Sequence, residues 1–152
     1  MRWLFFVVPL FHLSTSSAQN RVFLKASDLS DKLSGKNIQK IKLPWGRLGK
    51  SILVIYKDGT KTHVRKRSIW GFEKGDKTVL RFYDGETYQV VETGTIVIYK
   101  TYSPHPVYYF SERLDSKVIL VSRQKMIKTL DTDTLVKAYK KSRLVRLLLY
   151  YN

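Results

Sequence analysis

Cysteine is absent from the 152 residues, and acidic side chains are scarce, with 12 Asp and Glu against 28 Lys and Arg. Without cysteine there is no thiol nucleophile, no lipobox anchor and no disulfide to staple an exported domain, so stability must come from packing. Histidine numbers only three. A Ser-His-acid triad would have to use His63 or His105, because His12 lies in a segment read below as a leader, and neither has a supporting motif. Two isolated histidines, one of them inside a basic run, do not have metal-ligand spacing. No metal or other cofactor is expected.

Long apolar runs are equally scarce. One run, Trp3 to Leu13, follows Met1-Arg2 and gives way to Ser14-Thr-Ser-Ser-Ala18. It is too short for a membrane span, which takes about 20 residues, and Ser16 and Ala18 are the small residues that a signal peptidase requires. Residues 1–18 therefore read as a secretory signal peptide cleaved after Ala18. Residues 19–152 are expected to form a single β-rich domain, with no transmembrane span, in the periplasm, at the cell surface or outside the cell.

Phosphate-binding chemistry is suggested by Gly49-Lys50-Ser51 and then excluded by its surroundings. Pro44 occupies the place of the first glycine of a phosphate loop, where it has no N–H to donate and cannot adopt positive φ. Ile52-Leu-Val-Ile-Tyr56 follows as a β-branched run where a helix is needed. Trp45 to Lys50 reads as a connection between strands, with no nucleotide bound.

Short β-branched or alternating runs recur beyond Val22: Ile38 to Leu43, Ile52 to Tyr56, Lys61 to Arg65, Val79 to Tyr83, Thr87 to Glu92, Thr95 to Lys100, Val107 to Ser111 and Val118 to Ser122. Asp58-Gly59 and Asp84-Gly85 fall between such runs, where a tight hairpin needs positive φ. The fold class is mainly β with added helix. The expectation is an antiparallel sheet or small barrel of about seven or eight strands, followed by one or two carboxyl-terminal helices over about residues 123–151. Ser122 is a plausible cap, and Leu135, Ala138, Tyr139 and Ser142 would line one helix face. A single earlier turn is expected where Ser27 can cap Asp28 to Leu33.

Val22-Phe-Leu-Lys-Ala-Ser-Asp-Leu29, Arg67-Ser-Ile-Trp-Gly-Phe72, Arg81-Phe-Tyr83 with Tyr88, and Tyr108-Tyr-Phe-Ser111 carry a resemblance to small secreted proteins of Bacteroidetes-type bacteria. It covers roughly residues 22 to 130. The resemblance implies export and a β-rich fold, and it transfers no functional residue.

Most carboxylates sit at expected turns or caps, and Glu73, Glu92 and Glu112 have no spacing that pairs any two of them for acid–base work. An enzyme is therefore not expected. The formal charge of +16 loses only Arg2 with the leader, and such a field attracts polyanions. Its densest cluster is Lys61-Thr-His-Val-Arg-Lys-Arg67, where strand alternation would project Lys61, His63, Arg65 and Arg67 from one face, with Trp70, Phe72 or Tyr83 available for stacking. A second basic and apolar stretch, Arg143-Leu-Val-Arg-Leu-Leu-Leu-Tyr-Tyr151, either packs on the sheet or meets a membrane surface through Arg143, Arg146, Leu147, Leu148 and Tyr151.

The leading function is an exported, non-catalytic binding module of the envelope or extracellular space, engaging an anionic polymer or a partner protein through the basic strand face. The polymer candidates are lipopolysaccharide, acidic polysaccharide and extracellular DNA. A structural subunit of an envelope assembly is the alternative, and a small hydrolase is the third reading.

Overall fold

The computed structural model describes residues 20–29, 37–44 and 49–151. The expected leader, most of the Trp45 to Lys50 connection and the end of the turn after Ser27 lie outside those residues. The described part of that turn is a single 3-10 turn, Ala26–Leu29, in which the Asp28 carboxylate accepts from the backbone N–H groups of Leu24 and Lys25.

Among the described residues, ten strands form two antiparallel sheets. β1 (Arg21–Phe23), β5 (Gly71–Glu73), β6 (Val79–Tyr83), β7 (Glu86–Thr93), β8 (Val97–Thr101), β9 (Tyr108–Ser111) and β10 (Ile119–Leu120) make a seven-stranded sheet in the order β1-β5-β6-β7-β8-β9-β10. β2 (Ile38–Lys42), β3 (Ser51–Tyr56) and β4 (Lys61–Arg65) make a three-stranded sheet in chain order. The seven-stranded sheet is open, with β1 and β10 at its edges, so the barrel alternative does not hold. The expected strands are all present, although the last shrinks to two residues. β1 and β5 are additions, each three residues long and too short to show an alternation of its own. Gly71 sits where β5 crosses closest to β6, and a Cβ there would collide with the Leu80 carbonyl oxygen.

Both Asp-Gly hairpins form, with different geometry. Asp84 and Gly85 both have positive φ (49° and 79°) between the paired residues Tyr83 and Glu86, which is the two-residue type I′ solution. In the β3–β4 turn only Gly59 is left-handed (φ 85°), and Lys57, Asp58 and Gly59 make a three-residue loop closed by Tyr56 N–H donating to Thr60 C=O at 2.9 Å. The Asp58 carboxylate accepts from Thr60 N–H, which lowers its pKa.

One face of the seven-stranded sheet carries two cores. At the β5–β6 end, Phe72, Leu80 and Phe82 meet Ile41, Ile52 and Val54 from the three-stranded sheet. At the β8–β9 end, Ile98 and Phe110 meet Met126, Ala138, Val145 and Leu148 from helices and Leu130 from the end of the first of them. Among the described residues there are three α-helices, α1 (Arg123–Thr129), α2 (Thr132–Lys141) and α3 (Arg143–Tyr151), rather than one or two. Ser122 caps α1, as its hydroxyl accepts from Lys125 N–H at 3.2 Å, and Asp131 caps α2 through Thr134 N–H at 2.8 Å. The helical run after Asp131 breaks at Ser142, which is extended (φ −111°, ψ 120°), accepts from Val145 N–H and donates to Glu92 of β7 at 2.8 Å. That hydroxyl both starts α3 and ties it to the sheet.

Candidate functional site

β4 is an edge strand, and its alternation splits the basic cluster cleanly. Val64 turns inward onto the inter-sheet core, whereas Lys61, His63 and Arg65 are exposed on the outer face. Antiparallel register then adds partners that are distant in sequence. Lys61 lies opposite Ile55, which lies opposite Lys40, and His63 lies opposite Leu53, which lies opposite Lys42. The face thus carries two rows that read basic, apolar, basic, with Arg65 beside Ser51 at one end. Lys40 and Lys42 stand about 6.6–6.8 Å apart along β2, Lys61 and Arg65 about twice that along β4 with His63 between them, and Lys61 and Lys40 roughly 10 Å apart across β3. β2, β3 and β4 contain no Asp or Glu, and among the described residues Lys40, Lys42, Lys61 and Arg65 have no ion-pair partner. Lys40 and Lys42 were missed in the sequence, where Ile38-Gln-Lys-Ile-Lys42 shows only a modest alternation.

The stripe ends at Arg65. Ser68 donates its hydroxyl to the Arg65 carbonyl at 2.8 Å, and Lys66–Ser68 close into a 3-10 turn, so Arg67 is exposed but out of the strand alternation. Between them Lys66 turns inward and is buried, its Nζ 5.5 Å from the centre of the Phe82 ring. Burial lowers its pKa, against an opposing pull from the Glu86 carboxylate.

The expected aromatic platform is committed elsewhere. Trp70 is half-buried, its indole N–H donates to the Leu114 carbonyl at 2.8 Å, and its ring meets Phe23 edge-on at 6.1 Å. Phe72 is fully buried, and Tyr83 packs against Arg81. The apolar surface that does lie among the cations is aliphatic, namely Leu53 and Ile55, half-covered between the two basic rows.

The opposite face of the seven-stranded sheet encloses a cation that the sequence does not advertise. Arg81 is 2% exposed, within 5.1 to 5.7 Å of the ring centres of Tyr83, Tyr99 and Trp70. It donates to the Tyr99 hydroxyl at 2.6 Å and to the Ser116 carbonyl at 2.7 Å, and Tyr99 also shares a hydrogen bond with Ser111. Its Nε is buried without a hydrogen-bond partner, and no carboxylate pairs with it among the described residues.

In the carboxyl-terminal set, Leu148 is buried in the helix–sheet core, so α3 packs on the domain. Arg143, Leu147 and Tyr151 are exposed, and Arg146 donates to the carbonyls of Tyr139 and Lys140 at 3.1 Å, capping the end of α2. Tyr139 is half-exposed rather than on the inner face of α2, because the helix turns its Ala138 edge toward the sheet. Of the three unassigned carboxylates, Glu73 pairs with Arg21, Glu92 accepts from Ser142, and Glu112 is exposed. The described residues hold no cluster of three His, Asp or Glu that would ligate a metal. No protein family, curated protein or solved structure matches this chain.

Proposed function

We propose that this protein is an exported, non-catalytic binding module of the cell envelope or extracellular space that engages an anionic polymer through the outer face of β2, β3 and β4. The observation that carries the reading is the pair of basic–apolar–basic rows on a face whose strands contain no carboxylate. An extended chain bearing an anionic group at each repeat meets several of these cations at once, and each such pairing releases counterions. Leu53 and Ile55 offer a flat aliphatic strip for the apolar faces of sugars or bases lying between the anionic groups. The strongly positive overall charge, +16 for the full chain and one less without Arg2, would speed the encounter. Export rests on the leader-like character of residues 1–18.

The test measures binding of the exported protein to single-stranded DNA, lipopolysaccharide and an acidic polysaccharide across a salt series. A variant carrying Lys40→Gln, Lys42→Gln, Lys61→Gln and Arg65→Gln runs beside the parent. One polymer is expected to bind best. If it is single-stranded DNA, the salt slope shrinks by about 3 in the variant, at roughly 0.7 for each phosphate that is no longer neutralised. Binding that is weak, equal across the panel and unchanged in the variant overturns the reading, and the face is then only a solvated surface that protects an edge strand.

A further inference from the structure

The three helices leave a groove open on the side away from the sheet. It has a volume of about 540 Å³, with Ile127 of α1, Val136 and Tyr139 of α2 and Tyr150 of α3 along its walls and Arg123 and Lys140 among its lining cations. Leu135 and Leu149, which also line it, pack against the helix–sheet core, but the other apolar side chains are not core residues left slightly open. Ile127 is 55% exposed and Tyr150 82%, on helices whose inner residues Met126, Ala138 and Val145 are nearly inaccessible. An apolar groove displayed on a strongly charged domain marks a contact surface.

We propose that this groove seats the protein on an anionic lipid surface, with Ile127, Val136, Tyr139 and Tyr150 entering the interfacial region and Arg123 and Lys140 meeting headgroup phosphates. Charge decides between the candidate occupants. The helices carry Arg123, Lys125, Lys128, Lys137, Lys140, Lys141, Arg143 and Arg146 against Asp133 alone. A second copy of the chain would bring an equally basic surface against this one, whereas an anionic leaflet neutralises it. The chemistry of the walls agrees, because tyrosine is suited to the headgroup level of a bilayer, where its ring is apolar and its hydroxyl stays wet. Helix length agrees too. α3 has nine residues, and no helix of the described residues is long and apolar enough to cross a membrane, so contact has to lie in the plane of the interface. The geometry also redraws the contact expected from α3 alone. Leu148 points into the core, Leu147 and Tyr151 lie outside the groove lining, and their places are taken by residues of α1 and α2.

The experiment is co-sedimentation of the exported protein with phosphatidylcholine vesicles made with and without phosphatidylglycerol. An Ile127→Ser/Tyr150→Ser variant removes the groove walls at exposed positions where the fold does not depend on them, and its melting temperature is measured to show that it does not. A Lys61→Gln/Arg65→Gln variant serves as the independent control. The parent is expected to bind only the phosphatidylglycerol vesicles, the serine variant to lose at least about tenfold in partitioning, as the apolar area of one or two side chains requires, and the lysine–arginine variant to keep its vesicle binding. Because the polymer-binding face carries none of the groove residues, failure of either proposal leaves the other standing. Equal binding by parent and serine variant overturns the groove. So does vesicle binding abolished in the lysine–arginine variant, which would trace it to the sheet face. Self-association in the ultracentrifuge that the serine substitutions abolish, without vesicle binding, would assign the groove to a second copy. Binding to an acidic peptide such as polyglutamate, with none to vesicles, would assign it to an acidic protein.

Discussion

On the outer face of the three-stranded sheet, Lys40, Lys42, Lys61 and Arg65 stand exposed with no ion-pair partner among the described residues. On the far face of the seven-stranded sheet, Arg81 is 2% exposed and equally without a carboxylate partner among the described residues. Water solvates the first group. The second is solvated by the protein, through the Tyr99 hydroxyl, the Ser116 carbonyl and three aromatic faces. The same charge is therefore available for recognition in one place and fully committed in the other. Salt should reach only the exposed set, since buried interactions are screened far less.

The largest effect that would break this contrast comes from Arg81→Ala. It empties a packed site and leaves Tyr99 and Ser116 without their donor, for an expected loss of about 3–5 kcal/mol in urea unfolding. Arg81→Met separates volume from charge. It keeps most of the packing, so its loss should fall to about 1–3 kcal/mol. An Ala variant as stable as the parent would mean that the cage contributes nothing to the fold.

Tyr99→Phe sharpens the comparison at intermediate size. It keeps the ring under the guanidinium and deletes the oxygen that accepts from Arg81 and bonds to Ser111, for a loss of about 1–3 kcal/mol that added salt does not change. A loss that varies with ionic strength would show that the site is wetter than its burial indicates.

The smallest effect is expected at the exposed face, where Lys61→Gln with Arg65→Gln should move stability by no more than about 0.5 kcal/mol. The sign is informative. Removing two like charges should stabilise slightly at low ionic strength and do nothing near 1 M salt, where the screening length is about 3 Å. A clear destabilisation would mean that these side chains hold the sheet together rather than face a ligand.

Much of this architecture was legible along the chain because it depends on neighbours in sequence. The β-branched runs marked most strands, Asp58-Gly59 and Asp84-Gly85 marked the hairpins, and Ser122 marked the start of the helical region. β1 and β5 were not legible, since three residues show no period, and the strands exist through pairing, β1 with β5 and β5 with β6. The break at Ser142 was missed for a related reason. A serine inside an amphipathic run reads as helix surface until its hydroxyl is seen to start a second helix and reach Glu92.

For the candidate site, alternation within Lys61 to Arg65 sufficed to place three basic groups on one side of one strand. It could not show that Lys66 is buried, which depends on the turn that follows the strand, or that Trp70 is held by Leu114, 44 residues further along the chain. Nor could it join Lys40 and Lys42 to the same surface. Composition and local spacing thus account for the charge, the strands, the turns and one basic edge, all of which arise from interactions within a few residues. Which cations are buried, which aromatics are occupied and which basic rows share a face follow from register and packing between segments far apart in the chain, where burial and cross-strand pairing rather than local propensity set the free energy.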